Sequence, residues 1–170
     1  MPLAACEVRP EQPGDLQSIR DVHRRAFGQD QEANIVDALR ANGAVLVSLV
    51  ATLDGDVVGH VLYSPASIGS IEGAALGPIA VAPEYQKGGI GAQLIEAGTQ
   101  MLAATACPFV IVLGHPTYYP RFGFVPARSR GISCQWDVPD DVFMVLTLDE
   151  GTMKGVSGRA TYRHEFSTVT

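Results

Sequence analysis

Charge is scarce in this sequence. Of its 170 residues, 12 are Lys or Arg and 18 are Asp or Glu, so charged residues make up 18% of the chain and the net charge is −6. Soluble domains usually carry about 25%. The shortage is concentrated between residues 41 and 110, where Asp54, Asp56, Glu72, Glu84, Lys87 and Glu96 are the only charges and Lys87 the single cation. Without a basic cluster to displace counterions, an acidic chain is a poor partner for a nucleic acid, and none is expected. Apolar runs long enough to cross a membrane, roughly 18 residues, are also missing, so no membrane partner is expected. The first residues lack the basic stretch and apolar run of a secretory signal. Cysteine is sparse too: Cys6, Cys107 and Cys134 are odd in number, far apart and form no C-x-x-C pair. That pattern argues against a disulfide framework or a metal site and favours a reducing, cytoplasmic setting. Repeats, low-complexity tracts and linkers are absent as well, and residues 1–170 are expected to form a single domain.

What is present is a regular alternation of elements. Residues 15–27 read as a helix capped by Asp15, with Leu16, Ile19, Val22, Ala26 and Phe27 at helical spacing. Residues 32–40 read as a second helix, closed by Asn42-Gly43. Two β-rich runs, 44–53 and 57–63, flank Asp54-Gly55, a strong hairpin signal. Pro65 is expected to end the second run, residues 69–73 to form a turn, and residues 76–82 a third strand. A helix is predicted over 92–104 with Leu94, Ile95, Met101 and Leu102 inward, a buried strand over 109–113, a short helix over 116–122 and a late strand over 142–148. The fold class is therefore α+β, with an α/β-type mixed sheet. His60, within an apolar strand, reads as a hydrogen-bonded core histidine.

The segment from Ala75 to Gly91 carries the chemistry: a buried strand runs into Glu84-Tyr85-Gln86-Lys87-Gly88-Gly89-Ile90-Gly91 and then opens a helix. The first amides of a helix lack intrahelical acceptors, the helix dipole adds positive charge, and glycines let the backbone approach a phosphate. Lys87 lies in the same loop. These features describe an anion site. A dinucleotide fingerprint needs a third glycine where Leu94 stands, and a P-loop needs Ser or Thr after the lysine, where Gly88 stands.

The remaining pattern, Gln86-x-x-Gly89-x-Gly91, resembles the Q/R-x-x-G-x-G/A motif of the GCN5-related N-acetyltransferases (GNAT). Tyr118-Tyr119-Pro120-Arg121-Phe122-Gly123-Phe124 resembles that family's later aromatic element. With His115-Pro116 before it and a tail over 151–170 that would pack on the domain, the chain is similar to the bacterial YhbS-like branch. The likeness spans about residues 7–150.

The resemblance implies a mostly antiparallel, twisted sheet splayed between its fourth and fifth strands and flanked by about four helices. The gap would admit acetyl-CoA, with backbone groups of Ile79, Ala80 and Val81 pairing to its pantetheine arm. Amides of Gln86, Lys87, Gly88, Gly89, Ile90, Gly91 and Ala92 would hold the pyrophosphate, and Tyr118 would line the channel. No metal is implied. An amine would attack the thioester directly, an N–H near Ala80 would hold the oxyanion, and Tyr119 would protonate the thiolate. Glu72 and His115 are the candidate bases, whereas Glu84 reads as a charge answering the helix dipole. The acceptor would be a primary amine of a small molecule or peptide, chosen by residues 23–34 and 64–73, and the protein would be a monomer or a homodimer. The alternative is an acyl-CoA-binding sensor or interaction protein of the same fold without turnover.

Overall fold

The computed structural model describes residues 6–168. Strand β1 (Glu7–Pro10) leads through a 3-10 turn to helices α1 (Leu16–Phe27) and α2 (Gln31–Ala41). Strands β2 (Val47–Leu53), β3 (Asp56–Ile68) and β4 (Ile71–Val81) follow, then α3 (Ile90–Ala104) and β5 (Phe109–Leu113). The remainder is β6 (Val125–Pro126), β7 (Ile132–Ser133), β8 (Phe143–Thr147), α4 (Glu150–Met153), β9 (Gly158–Thr161) and α5 (Glu165–Thr168). The sheet runs β1-β2-β3-β4-β5-β8-β6, with β9 joined to the far end of β3 and β7 to β9. All pairs are antiparallel except β4–β5 and β7–β9. A mixed, mostly antiparallel sheet was expected and is found.

The Asp54-Gly55 hairpin forms with both residues at positive φ, 51° and 85°, the geometry whose twist matches the flanking strands. Pro65, in contrast, does not end β3. It pairs with Ala74 and the strand continues to Ile68. Tyr63 presents its carbonyl toward β2, accepting from Leu46 N at 2.8 Å, so by the period-2 alternation Pro65 presents its ring nitrogen on that same side. There β2 has already ended and β9, which pairs at Ser67 and Ile68, has not begun. The missing N–H therefore falls in a gap and costs no ladder bond. The turn shrinks to Gly69-Ser70, and β4 starts at Ile71. Gly73 lies inside that strand, where a Cβ would stand 2.5 Å from the Phe109 ring.

Other boundaries shift for similar reasons. Helix α3 begins at Ile90, two residues before the expectation, and Met101 is 42% exposed while Gly98 takes the inner face. Asp15 turns away from α1: its carboxylate accepts from Gln12 N at 2.7 Å and pairs with Arg9 at 2.7 Å. The short helix expected at 116–122 is a 3-10 turn over Tyr119–Phe122. Strands β1, β6, β7 and β9 were not anticipated.

His60 is buried and fully bonded. Its ring nitrogens lie 2.8 Å from Ser48 Oγ and 2.8 Å from His23 Nε2, and Ser48 donates to Glu11, which also pairs with Arg40 at 2.9 Å. Burial works to raise the Glu11 carboxyl, but the hydrogen bonds from Arg40 and Ser48, with His60 3.8 Å away, outweigh it and hold the group well below its usual range. This chain joins β1, α1, β2 and β3 behind the site.

Candidate active site

The site begins where two strands stop pairing. β4 and β5 are bonded only at Ala74–Val110 and Ala75–Ile111. Beyond them β4 shifts register against β3 between Val61 and Tyr63, opposite the Gly77-Pro78 step, and the two parallel strands part. Ala82 donates to Val58 O on β3 at 2.8 Å. Alternation then directs the Ala80 amide to β3 as well and turns the backbone groups of Ile79 and Val81 into the gap. Gln86 Nε2 caps the Val81 carbonyl at 2.9 Å, folding the loop onto the strand end. The open gap leaves the Ile79 N–H and C=O and the Val81 N–H facing the cavity.

At the end of this gap stands the N-terminus of α3. Gly89 caps it at φ 90°, and the first intrahelical amide is Gln93 N, donating to Gly89 O at 3.1 Å. The amides of Ile90, Gly91 and Ala92 thus precede the first intrahelical bond. The Gln86 amide is already engaged by Pro83 O at 3.4 Å, so Gln86 holds the loop's shape while the later residues offer donors. Lys87 is exposed and adopts φ 66°, a left-handed conformation disfavoured for a side-chain residue. Strain of this kind at a ligand loop is kept by its surroundings.

A cavity of about 910 Å³ runs along the gap. Ile79, Ala80, Val81, Gln86, Lys87, Gly89, Ile90, Gly91, Ala92, His115, Tyr118 and Tyr119 all line it, whereas Gly88 is off its wall. Glu72 is elsewhere. It sits near the start of β4 opposite Ser67, and eight residue steps along the strand, roughly 26 Å, separate it from Ala80. As a base drawing the amine proton through water it is corrected: the turn expected beside it is strand, which carries it to the far end of the sheet. Residues 64–73, expected to choose the acceptor, form the β3–β4 hairpin and lie off the cavity as well.

Tyr119 is 6% exposed and packs edge-to-face on Tyr118 (5.1 Å between centroids) and Phe124 (5.7 Å). Its ring lies against Gly114, where a Cβ would come within 2.2 Å of Cε2, so only glycine permits this placement. Burial, followed by the neighbouring Tyr118, pushes its phenol up to about 12. It therefore stays protonated at neutral pH. Arg121 lies 4.6 Å over the Tyr118 ring and donates from Nε to Tyr118 O at 3.0 Å. Glu84 pairs with Arg25 of α1, an exposed ion pair that ties the loop after β4 to α1 in addition to any dipole effect.

Known proteins match the same architecture. Residues 45–126 match the family model described as Acetyltransferase (GNAT) domain. The YhbS N-acetyltransferase of Escherichia coli K12 is 34% identical over 163 residues, covering 94% of this chain and 98% of that one. The chain belongs to the GNAT acetyltransferases. It is thereby an acyltransferase. The YjhQ N-acetyltransferase of E. coli K12 is 40% identical over 153 residues, covering 83% and 84% of the two chains. The solved structure of E. coli YhbS in complex with CoA superposes with a TM-score of 0.94 at 32% identity, covering 100% of this chain and 96% of that one. A GNAT acetyltransferase from Brucella melitensis in complex with acetyl-CoA gives 0.80 at 34% identity over 95% and 98%.

Of the residues expected to choose the acceptor, 23–34 do reach the wall through Ala26, Phe27 and Glu32, whereas Trp136, Tyr162 and Phe166 from the last third of the chain carried no sequence signal. Only the pairing of β9 with β3 brings the last group to the cavity.

Proposed function

We propose that the protein transfers the acetyl group of acetyl-CoA directly to a primary amine in a ternary complex. The observation carrying this reading is the single cavity that joins unpaired β4 backbone, the α3 N-terminus and the Tyr119 phenol. Pantetheine would lie in the gap like an added strand on Ile79 and Val81, as β-augmentation does elsewhere. The pyrophosphate would meet the amides of Ile90, Gly91 and Ala92, with Lys87 adding charge. Two relatives at 32% and 34% identity, crystallised with CoA and acetyl-CoA, support this placement.

The amine lone pair attacks the thioester carbonyl, and the new N–C bond drives negative charge onto the oxygen. A backbone N–H of β4 stabilises that oxyanion; Val81, rather than Ala80, has its amide turned to the gap. As the C–S bond breaks, Tyr119 gives its proton to the sulfur, and the proton released by the nitrogen restores the phenol through solvent. His115, on the cavity wall and exposed, takes that proton first and passes it on through solvent; Glu72 is too far away.

The test is thiol release from acetyl-CoA with a panel of primary amines, run beside equilibrium binding of acetyl-CoA. Amine-dependent thiol release is the expected result. Tight acetyl-CoA binding with no turnover on any amine would replace this reading with the non-catalytic sensor.

A further inference from the structure

The wall away from the loop is chemically unlike the rest. The loop end carries the cations Lys87 and Arg121, while Glu32 is the one carboxylate on the wall among the described residues. Gln29 Nε2 donates to both Glu32 oxygens at 3.1 Å, and this neutral contact leaves the charge uncompensated. Aromatic rings surround that end. Trp136 and Tyr162 stand 4.8 Å apart, Tyr162 and Phe166 5.2 Å apart, and Phe27, 43% exposed, lines the same cavity. The wall is held in place: buried Glu165 binds Asn42 Nδ2 at 2.8 Å and Arg163 at 2.8 Å, tying the end of the chain to the end of α2.

Within this wall the Tyr162 hydroxyl has no hydrogen-bond partner although the residue is 93% buried (7% exposed). An orphaned buried hydroxyl is costly and calls for a partner that arrives later. Burial opposes its ionisation, so it stays a neutral hydroxyl on the wall of the same cavity that Tyr119 lines.

We propose that the acceptor is a small arylalkylamine, a primary amine on a short chain from a flat apolar ring. The ring packs among Trp136, Phe166 and Phe27, Glu32 draws in the ammonium form, and once that has lost a proton the Tyr162 oxygen accepts an N–H of the amine, leaving the nitrogen lone pair free for the thioester. A polyamine would need several carboxylates where the wall supplies one, and a free amino acid would bring a carboxylate beside Glu32. This inference rests on the acetyl-transfer reading above and names its substrate class.

Trp136 is the only tryptophan of the chain, so its fluorescence reports the pocket directly. In the full-length protein with saturating CoA, 2-phenylethylamine should quench that emission saturably, and spermidine and lysine should not. In turnover with acetyl-CoA, kcat/KM for 2-phenylethylamine should exceed that for spermidine or lysine at least tenfold. Tyr162→Phe, which keeps the ring and removes only the orphaned hydroxyl, should raise the KM for the amine at least fivefold with no loss of Tm. Trp136→Leu should reduce the aryl preference. Preference for spermidine or lysine, no quenching by the aryl amine, or an unmoved KM in Tyr162→Phe would overturn the assignment while leaving acetyl transfer intact. Absence of acetyl-CoA binding would instead overturn the underlying reading.

Discussion

Tyr119 combines a buried ring with a phenol pushed up to about 12, first by burial and then by the neighbouring Tyr118. A proton donor so placed stays protonated across the working range and is lost only as pH rises through about 12. The alkaline limb of kcat should therefore be flat to about pH 11, as pH-rate profiles will show. Tyr119→Phe should lower kcat about 100-fold, the range of general-acid contributions, with the acetyl-CoA Kd unchanged; an unaltered kcat would remove the acid role. Gly114 tests the same assignment indirectly. Gly114→Ala places a methyl 2.2 Å from the Tyr119 ring. It should lower kcat at least tenfold and destabilise by about 1–3 kcal/mol, the usual cost of overpacking, read by thermal melts. Tyr119 was legible from its motif. Gly114 was not, because its role exists only in contact with a ring five residues away.

At the scale of elements, the strand–loop–helix unit was the best-read part of the sequence. Its glycine spacing, its lone cation and its following helix all have local causes. The geometry added which amides are spoken for: Gln86 is engaged by Pro83, Ala80 by β3, and the free donors fall on Ile79, Val81 and the first turn of α3. Lys87→Gly separates charge from conformation, since glycine accepts the φ of 66° that lysine tolerates poorly. The variant should keep or slightly raise Tm. It should also weaken acetyl-CoA about threefold at low salt, with the difference shrinking as ionic strength rises. Calorimetric titration at two salt concentrations checks it. Pro65 was misread because proline's effect depends on which side its missing donor faces, and that follows from where β2 ends and β9 begins.

For the molecule as a whole, the end of the chain is structural. β9 extends the β2 edge of β3, and Glu165 anchors the last turn on Asn42 and Arg163. The Arg163 hydrogen bond outweighs burial and holds the Glu165 carboxyl down to about 2. A carboxyl lowered on folding contributes stability that is complete above its unfolded value, about 4.3, and is lost as pH falls from there toward 2. Glu165→Gln should therefore lower Tm at pH 7, and the gap from wild type should narrow by pH 3 in paired melts. A gap independent of pH would mean the anchor works by shape alone.

The charge shortage between residues 41 and 110 now has its cause. That stretch supplies the central strands β2 to β4, the cavity face of α3 and the start of β5, so its residues are uncharged because they are buried, and its single cation lies on the loop at the cavity. Local rules were enough for this much: periodicity for elements, glycine for the anion loop, motif order for the family. The sequence pointed to residues 23–34, and so to Phe27 and Glu32, but could not determine the rest of the acceptor wall, because Trp136, Tyr162 and Phe166 lie far along the chain with no shared local signal. Sheet pairing and the Glu165 anchor brought them together, since contacts between distant residues are decided by how elements pack and not by what their neighbours in the chain prefer.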